Sequence, residues 1–426
     1  MSAYLGRERA RSSVSTEKNP QVEAVTVPAG PLGVRIVAER LAGVLQQASA
    51  PGAPIALIPE VGPNAPPAVV ARIRQAVQPD RPADRPDVAV VVATSGSTGQ
   101  PRGVLHSVRS LQALTPAVHA RLTTTPTWIS ALPLTSMGGL NVLVRALATD
   151  RLPVAIASLG GAAPFQARDV LEAIEHVTAP IAISLVAAQV DRLLDDPDGV
   201  AALRACDLIL VGGGATPTRL RTRAAEQGIT LTRTYGSTET SGGCVVDGRA
   251  LPAVLVKAGS SAEHPDRIVI DGPMLALGYR GDPMLTERVF TAQGLLTDDV
   301  GYVSDDGTLT VIGRRDDVVV IRGVNVSLPA IAASATADHP CVAIALSDSA
   351  HAEPRVVVCI AAGPASDGAS DLQPDTIKQR VRASLGPPAV PAAVLIVDDL
   401  PMLPSGKPDR QALAAMARAF LDAGPR

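Results

Sequence analysis

The sequence is 426 residues long with a formal net charge of −3; 46% of it is hydrophobic, yet its rings amount to one Trp, four Tyr and three Phe. Near-neutral charge excludes the basic stripe that a nucleic-acid binder needs, and so few rings exclude base-stacking platforms. The apolar content supports two or three domains of roughly 100–200 residues, with cores of Val, Leu, Ile and Ala.

Residues 1–20 are polar and charged, lack the apolar segment of a secretory leader and read as a flexible tail. Apolar spacing then predicts a helix over Leu32–Gln47, and Ile55–Ile58 a short strand. A Pro-rich stretch, Pro79–Pro86, leads into Val88–Ala93, a β-branched run expected as a buried parallel strand. Further strands are expected at Thr127–Leu132, Leu152–Ile156, Ile181–Leu185, Leu208–Val211 and Leu231–Thr234, alternating with helical stretches, which argues for α/β layers around a largely parallel sheet. After about residue 250 the strands Arg267–Ile270, Val300–Val303 and Thr308–Ile312 are split by Gly and Asp turns and read as antiparallel. A charged run, Gly313–Asp317, precedes a segment with strands at Val342–Leu346, Arg355–Ile360 and Val394–Val397 and helices at Asp375–Leu385 and Arg410–Leu421, enough for a small α+β domain. Cys206, Cys244, Cys341 and Cys359 fit no metal or redox spacing and read as free thiols of a reducing compartment. With no run of 18 apolar residues, a soluble cytoplasmic protein without a membrane partner is expected.

The segment that carries chemistry is Val88–Val104, where a hydrophobic strand enters a loop of Thr94, Ser95, Gly96, Ser97, Thr98 and Gly99. Small side chains, hydroxyls and open backbone N–H groups are what a polyphosphate needs to be cradled. The GxxxxGK[ST] spacing of a Walker A loop is missing.

Thr94-Ser-Gly-Ser-Thr-Gly-Gln-Pro-Arg-Gly103 resembles the phosphate-binding signature of the adenylate-forming superfamily: acyl- and aryl-CoA ligases, luciferases and adenylation domains. Arg102 stands where that family usually has Lys, a planar fork in place of a point charge. Five further segments resemble the family in its own order. Val211-Gly-Gly-Gly-Ala215 is similar to the glycine-rich segment beside adenine, implying Gly212, Gly213, Gly214 and Ala215. Tyr235-Gly-Ser-Thr-Glu-Thr240 implies Tyr235 stacked on adenine with Gly236 and Ser237 beside it, Thr238 on phosphate, and Glu239, with Thr98, holding Mg2+. Thr297-Asp-Asp-Val-Gly301 implies Asp299 on the ribose hydroxyls. Gly313-Arg-Arg-Asp-Asp317 implies Arg314 near ribose and phosphate and Asp316 as a hinge. Pro404-Ser-Gly-Lys-Pro-Asp-Arg410 implies Lys407 bridging the reacting carboxylate and the α-phosphate.

The implied fold is α/β: a large N-terminal AMP-binding domain of layered mixed sheets and helices with a reduced N-terminal subdomain, residues 21–315, and a small mobile α+β C-terminal domain, residues 316–426. The implied chemistry is ATP-dependent, Mg2+-assisted formation of an acyl-AMP from a carboxylate with pyrophosphate release. The small domain then turns about Asp316, Gly323 marks the face it presents, and a thiol such as CoA attacks. The compact build is similar to the short actinobacterial o-succinylbenzoate–CoA ligases of menaquinone biosynthesis. That resemblance rests on Ser184–Gln189, Thr234–Gly248 and Gly139–Ala146, and it implies an acyl pocket at Ser136, Met137, Gly138, Arg145, Val186 and Gly243. Arg145 would take the substrate's distal carboxylate or, alternatively, cap an apolar helix. One departure stands out: Leu132–Gly139 holds Thr135, Ser136 and Met137 where these ligases have a His, and His119 is the nearest imidazole in sequence. An ATP-dependent diazotase of secondary metabolism, which activates nitrite and joins it to an aryl amine, is the alternative; a small hydroxyl-lined pocket would suit a small anion. A non-catalytic nucleotide binder is a third, opposed by the joint presence of Glu239, Asp299 and Lys407. Monomer and homodimer are equally open.

Overall fold

The computed structural model describes residues 19–47, 55–60, 67–94, 101–161, 163–175, 177, 180–321, 324–336, 339–347, 354–362, 372–402 and 408–423. Two sheets build the larger part of the chain. In the first, Gln21–Thr26, Ile55–Glu60, Val90–Ala93, Gly103–His106 and Gly278–Tyr279 lie in that spatial order. The first three are parallel, whereas Val90–Ala93 and Gly103–His106 form an antiparallel hairpin. The Val88–Ala93 run is thus parallel on one side only; Val90, Val91 and Val92 are buried as its β-branched composition demands.

The second sheet runs Arg249–Ala250, Gly242–Val246, Thr232–Ser237, Leu208–Gly212, Ile181–Val186, Thr127–Ser130 and Val154–Ala155. Its last five strands are parallel and its first two antiparallel. Residues alternate between faces. Ile129, Ile183, Ile209 and Val211 join the core shared with Val37, Leu41, Val90 and Leu140. Trp128, Ala182, Leu208 and Leu210 face a second core with Val142, Cys244 and Ile268. Among the buried described residues of these two cores Trp128, the chain's single tryptophan, is the one aromatic ring.

A third, antiparallel sheet contains Leu255–Lys257, Asp266–Asp271, Gly294–Val303, Phe290–Thr291 and Leu309–Arg314. The expected strand Val300–Val303 is only the end of the ten-residue Gly294–Val303. Its middle, Thr297-Asp-Asp299, carries no apolar alternation because its side chains make polar contacts. Conversely, Leu152–Ile156 shortens to Val154–Ala155 at the sheet edge, and Thr127–Leu132 ends at Ser130. Beyond Asp317, Cys341–Leu346, Arg355–Ala361 and Ala393–Val397 form a sheet. It is covered by Leu328–Ala335, Pro374–Leu385 and Arg410–Ala423, which supply two cores of their own. Among the described residues no helix is long and apolar enough to cross a membrane, and the four cysteines are free thiols.

Candidate active site

Parallel strands present their carboxyl ends at one edge, where α/β sheets bind ligands. Val186 pairs with Gly212 there, and Tyr235 follows one step beyond on Thr232–Ser237. The turn that follows Gly212 bends away through Gly213 at φ +79, with a Cβ position 3.3 Å from Val186 Cγ1, so only glycine fits without strain. A Cβ on Gly236 would sit 2.1 Å from the Gly242 carbonyl oxygen, so the strand must lie bare against its antiparallel neighbour. Gly214 and Ala215 continue the turn toward the helix Thr218–Glu226.

Three residues expected from separate motifs meet here. The Tyr235 hydroxyl donates to Asp299 Oδ2 at 2.7 Å. Asp299 pairs in register with Arg314, whose Nη1 lies 3.9 Å from Asp299 Oδ1. Arg314 also reaches Asp298 at 3.3 Å, and Asp298 is held by Arg267 at 2.8 Å. Burial, then the neighbouring Asp299 carboxylate, pushes the Tyr235 phenol well above its ordinary pKa, so it stays a donor. Asp299 Oδ1 accepts no hydrogen bond among the described residues, and its side chain is partly exposed.

Next in the chain, Thr238–Thr240 is a single 3-10 turn, closed by Ser241 in the left-handed region at φ 51. Ser237 N donates to Thr240 Oγ1 at 2.8 Å, fixing its start. The turn lifts Glu239 toward the first sheet, where the Tyr279 hydroxyl donates to Glu239 Oε1 at 2.9 Å. Arg102 lies across the same ring, its Cζ 5.6 Å from the centre. Arg102 N also donates to Thr94 Oγ1 at 3.0 Å, closing the hairpin whose loop is expected to bind phosphate. Ser95, Gly96, Ser97, Thr98 and Gly99 of that loop, together with Gly323 and Lys407, lie outside the described residues. Asp316 lies in the short turn Arg315–Asp317.

Ser136 starts the helix Met137–Leu147 as its N-cap: its Oγ accepts from Gly139 N at 3.2 Å and donates to the Pro133 carbonyl at 2.7 Å. The hydroxyl expected to line a small-anion pocket is therefore already engaged. Met137 is buried and Gly138 is exposed. One turn on, Asn141 Nδ2 donates to the Ser241 carbonyl at 2.7 Å, tying this helix to the turn that bears Glu239. Gly243 stands opposite Gly236 in the register of Thr232–Ser237. Arg145, a further turn along, is buried with its Cζ 5.2 Å from the centre of the Trp128 ring. It makes no hydrogen bond or ion pair among the described residues, so it does not cap the helix end. Burial lowers its pKa to about 10, leaving it charged at neutral pH. His119, which accepts from Trp128 Nε1 at 3.3 Å, is lowered by burial and by Arg145.

Sequence reasoning passed over Tyr279, Asn141, Ser241 and His106. His106 is fully buried; its Nδ1 lies 3.1 Å from Ser241 Oγ, which in turn donates to the Met274 carbonyl at 2.8 Å. The serine proton is thus taken, so Nδ1–H is the imidazole donor, and Nε2 is a buried lone pair without a partner among the described residues. Burial alone lowers its pKa to about 3. The available signal was the position of His106, at the end of the second hairpin strand.

Among the described residues no three His, Cys, Asp or Glu converge as a metal cage. A lone carboxylate with one oxygen held by a tyrosine suits Mg2+, which takes one or two protein carboxylates and completes its shell from water and phosphate oxygens.

A family model for the AMP-binding enzyme matches residues 20–279, and one for the AMP-binding enzyme C-terminal domain matches residues 332–407. A probable 2-succinylbenzoate–CoA ligase of Mycobacterium tuberculosis is 37% identical over 341 residues, 78% of this chain and 85% of its own. The 2-succinylbenzoate–CoA ligase of Geobacillus kaustophilus is 29% identical over 342 residues, 75% of this chain and 67% of its own. The same fold occurs in the o-succinylbenzoate coenzyme A synthetase of Bacillus subtilis in complex with ATP and magnesium ion, at a TM-score of 0.69, 20% identity and coverage of 93% and 90%. It also occurs in the amide bond synthetase McbA of Marinactinospora thermotolerans, at a TM-score of 0.67, 22% identity and coverage of 93% and 80%.

Proposed function

This chain belongs to the AMP-binding enzyme family, and from that premise we propose that it activates an aromatic carboxylic acid of the 2-succinylbenzoate class with ATP and transfers the acyl group to CoA. The observation that carries the reading is the convergence of Tyr235, Asp299 and Arg314 beside the Gly212–Ala215 turn, with Glu239 fixed a few residues away.

In this reading adenine lies between the Tyr235 ring and the backbone of Gly212, Gly213, Gly214 and Ala215. Asp299 takes the ribose hydroxyls; its Oδ2 is steadied by Tyr235, which leaves Oδ1 to accept. Thr94 through Gly99, Arg102 and Thr238 hold the phosphates, and Gly236 and Ser237 shape the strand end beneath them. Glu239 and Thr98 hold Mg2+, which when bound neutralises charge on the triphosphate. The substrate carboxylate is already ionised at pH 7, so no protein base is required. Its oxygen bonds to the α-phosphorus, the bond from that phosphorus to the bridging oxygen breaks, and pyrophosphate leaves. Lys407 spans carboxylate and α-phosphate and offsets the negative charge gathering between them. The segment from residue 316 onward then turns about Asp316, withdrawing Lys407. A CoA thiolate attacks the acyl carbon and AMP departs. Such hinge steps often gate turnover.

Val186, Gly243, Ser136, Met137 and Gly138 enclose the acid, and Arg145 faces its second carboxylate. The engaged Ser136 hydroxyl removes a donor from the small-anion alternative. Pyrophosphate release tests the assignment: 2-succinylbenzoate with CoA should support it. Release with nitrite and an aryl amine, independent of CoA, would instead make the chain a diazotase, and no release with any acid would make it a nucleotide binder.

A further inference from the structure

Tyr279 belongs to none of the six motif segments, yet among the described residues it is the group that hydrogen-bonds the Glu239 carboxylate. The residue is 6% exposed, and its position is fixed on several sides. The backbone pairs antiparallel with Val104, and Tyr279 N donates to Thr286 Oγ1 at 2.9 Å. The preceding Gly278 takes φ +140, where a Cβ would lie 2.4 Å from Thr286 Cγ2. Phe290 packs edge-on, with ring centres 5.7 Å apart. Arg102 covers the ring with its Cζ 5.6 Å from the centre, while the hydroxyl donates to Glu239 Oε1 at 2.9 Å. One rigid ring therefore touches the cation of the phosphate hairpin and the carboxylate of the turn, which come from different sheets. Glu239 Oε2 makes no hydrogen bond among the described residues and is the oxygen left for a cation.

We propose that Tyr279 is a positioning residue that registers the Glu239 carboxylate against Arg102 and so sets the affinity for a divalent cation carried by a nucleoside triphosphate. The inference rests on the nucleotide site proposed above.

The test is Mn2+ binding followed by electron paramagnetic resonance with ATP present and no acid, alongside calorimetric binding of metal-free ATP. Tyr279→Phe keeps the ring and removes the donor. It should weaken Mn2+ roughly tenfold, with metal-free ATP affinity and thermal midpoint unchanged. Tyr279→Leu removes the ring as well and should weaken metal-free ATP too. In the Glu239→Gln background Tyr279→Phe should add little. Wild-type Mn2+ affinity in Tyr279→Phe, or full additivity with Glu239→Gln, overturns the role of Tyr279 while leaving the nucleotide site standing. Failure of the unmodified protein to bind ATP with Mn2+ overturns both.

Discussion

Replacing Arg145 by Met should stabilise the substrate-free protein while crippling its use of a dicarboxylic acid. The buried guanidinium has no hydrogen bond or ion pair among the described residues, and its pKa falls from 12.5 to about 10 through desolvation. A base with a lowered folded-state pKa penalises folding while it is charged, and the penalty fades as pH rises through about 10. At pH 7 the penalty is therefore fully present, at about 3 kcal/mol from that shift. Against it stands the cation–π contact with Trp128, worth about 1–2 kcal/mol when desolvated. Methionine fills much of the stem volume, so Arg145→Met should gain about 1–2 kcal/mol. Urea unfolding followed by Trp128 emission and by circular dichroism measures this, and Trp128, as the single tryptophan, reports the site directly. In kinetics, KM for 2-succinylbenzoate should rise about a hundredfold, since an unmatched buried carboxylate costs several kcal/mol, and a monocarboxylic analogue should be little affected. A variant less stable than the parent by 1 kcal/mol or more would refute the reasoning, because it would mean that the guanidinium is already satisfied and is not a vacant receptor.

Tyr235→Phe leaves the ring but frees Asp299 Oδ2; partial exposure lets water replace the donor, so KM for ATP should rise about tenfold with kcat nearly constant, read by pyrophosphate release. Lys407→Ala should abolish adenylation while leaving thioester formation from supplied acyl-adenylate intact; equal loss of both would rule out the assigned role. For His106 the folded-state pKa lies near 3 and the ordinary value is 6.5, so the unfolded chain binds the extra proton first as pH drops. Stability should thus decline from pH 6.5 downward, by roughly 5 kcal/mol in total, and His106→Gln should flatten that decline in urea unfolding between pH 6.5 and 4.

The parallel strands were legible because fully buried strands are written as continuous β-branched runs, as in Ile181–Val186 and Leu208–Gly212. Gly294–Val303 was legible only at its end, since its pairing with Asp266–Asp271 shifts register between Leu296 and Val300 and the side chains there serve polar contacts. Tyr279 escaped because a two-residue strand carries no periodicity, and its partner Glu239 is 40 residues away. Ser136 was read for its hydroxyl, although a serine immediately before an apolar-periodic run is an N-cap signal. Tyr235 and Asp299 came from separate motifs, and their direct hydrogen bond could come only from the fold.

The Asn141–Ser241 hydrogen bond has a thermodynamic consequence. It joins the helix that begins at the proposed acid pocket to the turn that holds Glu239, so in the proposed reading occupancy of one end would bias the geometry of the other. Linkage then demands symmetry: whatever factor the acid adds to the affinity for nucleotide, nucleotide must add to the affinity for acid. Cutting the tie with Asn141→Ala should bring both factors toward one together. The order in which the two substrates arrive would then reflect their concentrations in the cell, with no preferred sequence imposed by the protein.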